Sequence, residues 1–173
     1  MTNKDLTIII TTFKSEDKIE NCLNSIDSSI SVIIVENSSN EKFKQDIESK
    51  YSNVNCVLTN QNLGYGKANN IGLKRVSTKY SLVLNPDTVL DNNAVNKFFI
   101  FTKQKIDFAM AGPSQSKKEF ALEVSFKNKD LKFLETDKIE GFAMFLNMKK
   151  FRNIGFFDEN IFLYLEEIDL CKR

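Results

Sequence analysis

The chain has no histidine. A Ser–His dyad, a Cys–His dyad and a histidine-ligated metal are therefore excluded within these residues. Carboxylates are left as the main acid–base groups. Cysteine is scarce: Cys22, Cys56 and Cys171 are odd in number, far apart and in no metal-ligand spacing. That pattern fits buried thiols in a reducing compartment. Neither sign of charge dominates, with 24 basic against 23 acidic residues and a net charge of +1. A nucleic-acid binder would show a basic excess or stripe, so no nucleic-acid partner is expected. No apolar run is long enough to span a bilayer, and Met1-Thr2-Asn3-Lys4-Asp5 lacks the apolar core of a signal peptide. The expected location is cytoplasmic. Phe98-Phe99-Ile100-Phe101 keeps a peripheral contact with the inner face of a membrane open, against the commoner reading that adjacent apolar residues pack in a core.

What is present suits one domain. A chain of 173 residues that is 42% apolar and 27% charged can bury a sizeable core. Leu6–Thr11, Ser31–Val35, Val54–Leu58 and Ser81–Leu84 are short apolar runs of the kind that parallel strands, covered on both faces, present. Helical spacing separates them. A helix is expected from a Ser15 cap through about Ile26, with Ile19, Cys22, Leu23 and Ile26 on one face. A second runs from a cap at Ser38, Ser39 or Asn40 to about Tyr51, and a third follows the glycine loop Asn60–Gly66 to about Val76. Beyond these come a helix from Ala94 to about Lys105, a strand at Phe108–Ala111, a β-ribbon from Phe120–Phe126 and Leu131–Leu134, an apolar stretch Ile139–Leu146 around Gly141, and a short helix Met148–Ile154. Strands alternating with helices predict an α/β fold with a doubly wound, mainly parallel sheet.

Right-handed crossovers put every strand-to-helix turn of such a sheet on one rim. Thr12-Phe13, Glu36-Asn37, Asn62–Gly66 and Asn85–Asp87 should therefore line one cleft, a site for a polar ligand at the strands' carboxyl ends. Pro86 cannot donate to a sheet ladder, so the fourth strand stops at Asn85-Pro86-Asp87. Asp87 is either a ligand for a metal ion held against a phosphorylated substrate or a turn or cap residue. The last stretch, Gly155–Arg173, ends on the opening turns of a helix without a stop signal, as a piece of a longer protein would. On a helix Glu166 and Asp169 share nearly one face, and Glu167 sits about 100° round from Glu166. These acids could serve as a catalytic base or simply complement the helix dipole.

Five stretches in order resemble the family 2 glycosyltransferases of the GT-A fold, especially the rhamnosyltransferase-like branch. They are Ile8-Ile9-Ile10-Thr11-Thr12-Phe13, Val35-Glu36-Asn37-Ser38-Ser39, Asn62-Leu63-Gly64-Tyr65-Gly66-Lys67-Ala68-Asn69-Asn70-Ile71-Gly72, Asn85-Pro86-Asp87, and Gly155-Phe156-Phe157-Asp158-Glu159 with the block Glu166–Arg173. The resemblance implies a metal-dependent inverting hexosyltransferase that moves a sugar from a nucleotide donor to a hydroxyl of a saccharide or lipid-linked saccharide, in bacterial polysaccharide or glycoconjugate synthesis. It also implies a GT-A-like domain over 1–173, with a nucleotide-sugar half at about 1–112 and an acceptor and base half at about 113–173, cut short at its end. The donor site would use Thr11, Thr12, Phe13, Glu36, Asn37, Asn62, Gly64, Tyr65, Gly66, Asn69, Asn85 and Asp87. Asp87, with Asn85, would hold Mg²⁺ or Mn²⁺, and Glu167 would be the base, with Asp169 and Glu166 as neighbouring candidates. Glu36 and Glu167 stand where the family usually has Asp, and Asn85 where it often has an acid. The competing functions are a non-catalytic nucleotide-sugar-binding module and, with less in its favour, a nucleotidyltransferase.

Overall fold

The computed structural model describes residues 2–104, 107–113 and 135–173. Its centre is β1 (Leu6–Thr12), buried at all seven positions, as a parallel strand covered on both faces must be. β2 (Ser31–Glu36), β3 (Val54–Leu58) and β4 (Tyr80–Leu84) run parallel to it. β5 (Met110–Ala111) and β6 (Ala143–Asn147) complete one six-stranded sheet in the order β3-β2-β1-β4-β6-β5, in which β6 is antiparallel to both neighbours. Among the described residues the α-helices are α1 (Ile19–Asn24), α2 (Glu41–Lys50), α3 (Tyr65–Leu73), α4 (Ala94–Lys103), α5 (Met148–Ile154) and α6 (Glu166–Lys172).

Strand side chains alternate between two apolar layers, because successive residues point to opposite faces. Ile8, Ile10, Ile34, Leu82, Leu84 and Phe145 join Ile19, Cys22, Phe43, Ile47 and Phe99 from α1, α2 and α4. Ile9, Val83, Met144 and Leu146 join Leu73, Phe151 and Leu170 from α3, α5 and α6 on the other side. The sheet is thus doubly wound and mainly parallel, as the strand pattern predicts.

Several boundaries differ from expectation. α1 begins at Ile19 rather than after Ser15, because the Ser15 hydroxyl turns back to the Phe13 carbonyl (3.1 Å) and Lys14 takes a positive φ of 53°. α4 ends at Lys103 and β5 is only two residues long. The apolar stretch around Gly141 contributes a full central strand, β6, that its local pattern did not disclose. The β-ribbon expected at Phe120–Phe126 and Leu131–Leu134 lies outside the described residues. Phe99 and Phe101 are buried and Phe98 stacks on Phe145 at 4.7 Å, so three residues of that apolar cluster face the core and only Ile100 is exposed. Among the described residues no helix is long and apolar enough to cross a membrane.

Candidate functional site

The register fixes the rim. Thr12 pairs with Glu36, Glu36 with Leu58, and Ile10 with Leu84, so the turns after β1, β2 and β4 leave the sheet on one side. The Thr12 hydroxyl donates to Glu36 Oε2 at 2.5 Å, and the Ser38 hydroxyl donates to Glu36 Oε1. Glu36 is buried and fixed by these two hydroxyls. It does not cap α2; Asn40 does, accepting from the Phe43 amide at 3.0 Å. Thr11 is also buried and donates to Asn69 Oδ1 at 2.9 Å. Phe13 is 42% exposed at the end of β1, with the Lys14 ammonium 5.5 Å from its ring centroid.

Asparagine side chains stitch the rim together. Asn37 Nδ2 donates to Asn62 Oδ1 (2.9 Å) and the Gly64 carbonyl (3.3 Å), while its Oδ1 accepts from the Leu63 amide (2.9 Å). One carboxamide therefore anchors the whole glycine loop to β2. Asn70, not singled out as a site residue, does the same for the C-terminal block. Its Oδ1 accepts from the Phe157 amide (3.0 Å) and its Nδ2 donates to the Phe157 carbonyl (2.9 Å). A buried backbone needs its partners supplied, and here an α3 side chain supplies them. Gly64 and Gly66 lie beneath that block: a Cβ on Gly66 would sit 3.0 Å from Phe157 Cβ.

Asn85–Asp87 forms a tight turn closed by the Thr88 amide on the Asn85 carbonyl (3.1 Å). Asp87 is exposed within it. α4 starts only at Ala94, so Asp87 is not its cap. The turn rests on α1: Cys22 Sγ lies 3.7 Å from the Asn85 carbonyl, and burial, reinforced by the Asp87 charge, pushes the Cys22 thiol up to about 12. Tyr65 is half-buried, with its hydroxyl turned inward. Its hydroxyl meets the Gly141 carbonyl at 3.0 Å and Asn85 Oδ1 at 3.2 Å.

α6 brings its three acids to the same end of the sheet in three different states. Asp169 pairs with Arg173 at 3.0 Å, a charge contact without hydrogen-bond alignment. Glu166 is buried with Oε2 unpartnered. Glu167 is half-buried, packs against Gly141 with its side chain 3.7–3.8 Å from where a Cβ would sit, and has no hydrogen bond or ion pair among the described residues. Gly141, Tyr65 and Asn85 thus form a continuous bridge from Glu167 to the turn that carries Asp87. The open hollow of about 290 Å³ between α1 and α2 is lined by none of these residues.

Burial holds the Glu166 carboxyl above the usual glutamate range, and the Glu167 charge adds to this. Folding therefore favours the protonated form. The resulting cost is absent below the unfolded pKa, grows as pH rises towards the folded pKa and is complete above it. Glu166→Gln should raise the melting temperature near pH 8 by roughly 2–4 °C, the equivalent of about 1 kcal/mol, and the gain should vanish near pH 4. An equal gain at both pH values would show that the carboxyl charge is not its source.

The donor set at the turn is chemically suited to a hard divalent cation but sparse. It offers one carboxylate, Asp87, and one amide oxygen, Asn85, and among the described residues no group of three His, Cys, Asp or Glu side chains could hold a metal. Such a set fits an ion that is held mostly by substrate phosphates.

The family model described as Glycosyl transferase family 2 matches residues 7–169. A low-salt glycan biosynthesis hexosyltransferase of Haloferax volcanii, Agl10, is 25% identical over 98% of the chain, which spans 61% of that relative's length. Among solved structures, residues 1–349 of Staphylococcus aureus TarS in complex with UDP-GlcNAc superpose with a TM-score of 0.64 at 18% identity, covering 89% of this chain and 48% of that fragment. The Pyrobaculum calidifontis mannosyltransferase PcManGT, in complex with GDP-Man and Mn²⁺, gives a TM-score of 0.72 at 13% identity, covering 91% of this chain and 48% of that one. These likenesses establish the GT-A-like fold.

Proposed function

The chain belongs to glycosyl transferase family 2, and from that premise we propose that it transfers a hexose from a nucleotide-sugar donor to an acceptor hydroxyl, with inversion, in the assembly of a surface polysaccharide or glycoconjugate. The reading is supported by a hexosyltransferase relative and by structural neighbours bound to UDP-GlcNAc and to GDP-Man with Mn²⁺. The observation that carries it is the bridge from Glu167 through Gly141 and Tyr65 to Asn85. It links an uncommitted carboxylate to a turn bearing a second, exposed carboxylate at a strand end.

In this reading Thr12, Phe13, Glu36 and Asn37 border the nucleoside. Glu36 is held rigid by Thr12 and Ser38, which limits the entropy lost when a ligand bonds to it. Asn62, Gly64, Gly66 and Asn69 shape the loop beside the diphosphate. Asp87 and Asn85 would hold a Mg²⁺ or Mn²⁺ ion, which when bound neutralises charge developing on the diphosphate leaving group. Glu167 takes the acceptor hydroxyl's proton as that oxygen attacks the anomeric carbon from the face opposite the diphosphate. The bond from the anomeric carbon to the phosphate oxygen breaks, and its electron pair leaves with the nucleotide. Glu166 and Asp169 are worse placed for that task, one lacking access to solvent and the other paired with Arg173. The acceptor in this reading is a saccharide or lipid-linked saccharide.

A nucleoside diphosphate with Mn²⁺ is expected to raise the melting temperature. Saturation at 100 times Kd contributes about 2.7 kcal/mol, or roughly 5–10 °C at this chain length. Asp87→Ala should keep the nucleotide-dependent part and lose the Mn²⁺-dependent part. Thermal shift across a panel of nucleotides and nucleotide sugars measures both. A flat response from the whole panel would overturn the donor reading, and an unaltered Mn²⁺ increment in Asp87→Ala would overturn the metal assignment.

A further inference from the structure

We infer that Tyr65 is a positioning residue, whose hydroxyl ties the turn carrying Asp87 to the Gly141 backbone on which Glu167 rests and so fixes the separation of base and leaving group. The inference rests on the transferase reading above and adds a residue that acts on the reaction without touching substrate.

The ring alone does not account for a tyrosine here. Its apolar duties are met by the aromatic face, which packs edge-on to Phe157 at 6.0 Å and 74°, and a phenylalanine would do the same. A buried phenol carries a desolvation cost unless its hydroxyl finds partners. The Tyr65 hydroxyl finds two, the Gly141 carbonyl at 3.0 Å and Asn85 Oδ1 at 3.2 Å, and one proton is shared between them. The partners lie 76 and 20 residues away in the chain. They come from the two sequence regions whose relative position an in-line displacement depends on. Asn85 is already laced to the same segment by its amide, which donates to the Phe142 carbonyl at 2.9 Å. The hydroxyl therefore fixes the side-chain end of a connection whose backbone end is secured.

α3 holds Tyr65 firmly in place. The Tyr65 amide donates to the Phe162 carbonyl at 3.1 Å, and the Tyr65 carbonyl accepts from Asn69 Nδ2 at 3.1 Å. Because the backbone is pinned at both groups, movement of the hydroxyl would require movement of the helix. Loss of the hydroxyl frees Gly141 and the Asn85 side chain without removing either.

The test compares Tyr65→Phe with the parent protein. Expected is a fall in kcat of about 10- to 100-fold, the scale that roughly 1 Å of misplacement produces, with donor KM changed by less than about twofold. In a Glu167→Gln background the same substitution should cost nothing further, because both act through one proton transfer. Amide exchange should quicken at Gly141, Phe142 and Asn85 and stay unchanged within α3, a readout that survives when residual rates are too low to compare. Parent-like kcat in Tyr65→Phe, an equal loss in both backgrounds, or unchanged exchange at Gly141 would overturn the inference while leaving the transferase reading intact. A parent protein that transfers no sugar from any donor would overturn that reading, and this one with it.

Discussion

Glu167→Gln is expected to lower the rate of sugar transfer by about 10²- to 10⁴-fold, the usual worth of a positioned general base, while donor affinity and melting temperature stay close to those of the parent. The substitution keeps the shape that packs on Gly141 and removes only the capacity to accept a proton. Glu167 is half-buried and free of ion pairs among the described residues, so no buried charge is stranded by the change. Its neighbours are poor substitutes. Glu166 is buried, which keeps its carboxylate from reaching an acceptor hydroxyl. Asp169 is engaged with Arg173. Glu166→Gln and Asp169→Asn should therefore retain far more activity than Glu167→Gln. Steady-state transfer with a saturating acceptor distinguishes them, and parent-rate transfer by Glu167→Gln would end the assignment.

Much of the framework is legible in the chain itself. β1 to β4 are found within a residue of the expected bounds, because strands covered on both faces must be apolar at nearly every position. The common rim follows from parallel order and crossover handedness. β6 was not legible. Its partner β4 lies some 60 residues earlier, and the apolar pattern around Gly141 carries no sign of which neighbour it will find or in which direction it will run. The start of α1 differs from the sequence pattern for a local reason: Ser15 has the chemistry of a cap, but its hydroxyl bonds backward to the Phe13 carbonyl.

The same limit governs the polar residues. Asn37, Asn62 and Asn69 are legible as a cluster of hydrogen-bonding groups, yet an asparagine in isolation does not disclose whether it serves a ligand or the protein's own backbone. In the folded chain Asn37 and Asn69 spend their carboxamides on the protein. Asn70 is the clearest case, its carboxamide wholly occupied in docking a segment 87 residues away. Tyr65 shows the reverse. Its hydroxyl bonds connect regions far apart in sequence, and nothing in the flanking residues foretells them.

The glycine loop gives the second large effect. Gly64→Ala is expected to lower the melting temperature by roughly 6–12 °C, from a loss of about 3 kcal/mol. Gly64 has φ 81° and ψ 171°, a conformation almost confined to glycine, and it also lies directly beneath another stretch of backbone. A Cβ there would sit 2.2 Å from the Phe162 carbonyl oxygen and 2.9 Å from its carbon. A flexible side chain could swing clear, but a carbonyl that already accepts the Tyr65 amide at 3.1 Å cannot move without breaking that bond. The added methyl must therefore distort the loop that Asn37 anchors or lift the segment around Phe162 that leads into α6. Either movement disturbs the seat of Glu167, so activity should fall together with stability. Gly141→Ala is the control for stability: its Cβ would meet Glu167 at no closer than 3.7 Å, with no positive φ to strain. Thermal unfolding of both variants, with limited proteolysis around Phe162, separates the outcomes. A Gly64→Ala protein as stable as Gly141→Ala would show that the Phe162 backbone does not rest on the loop in solution.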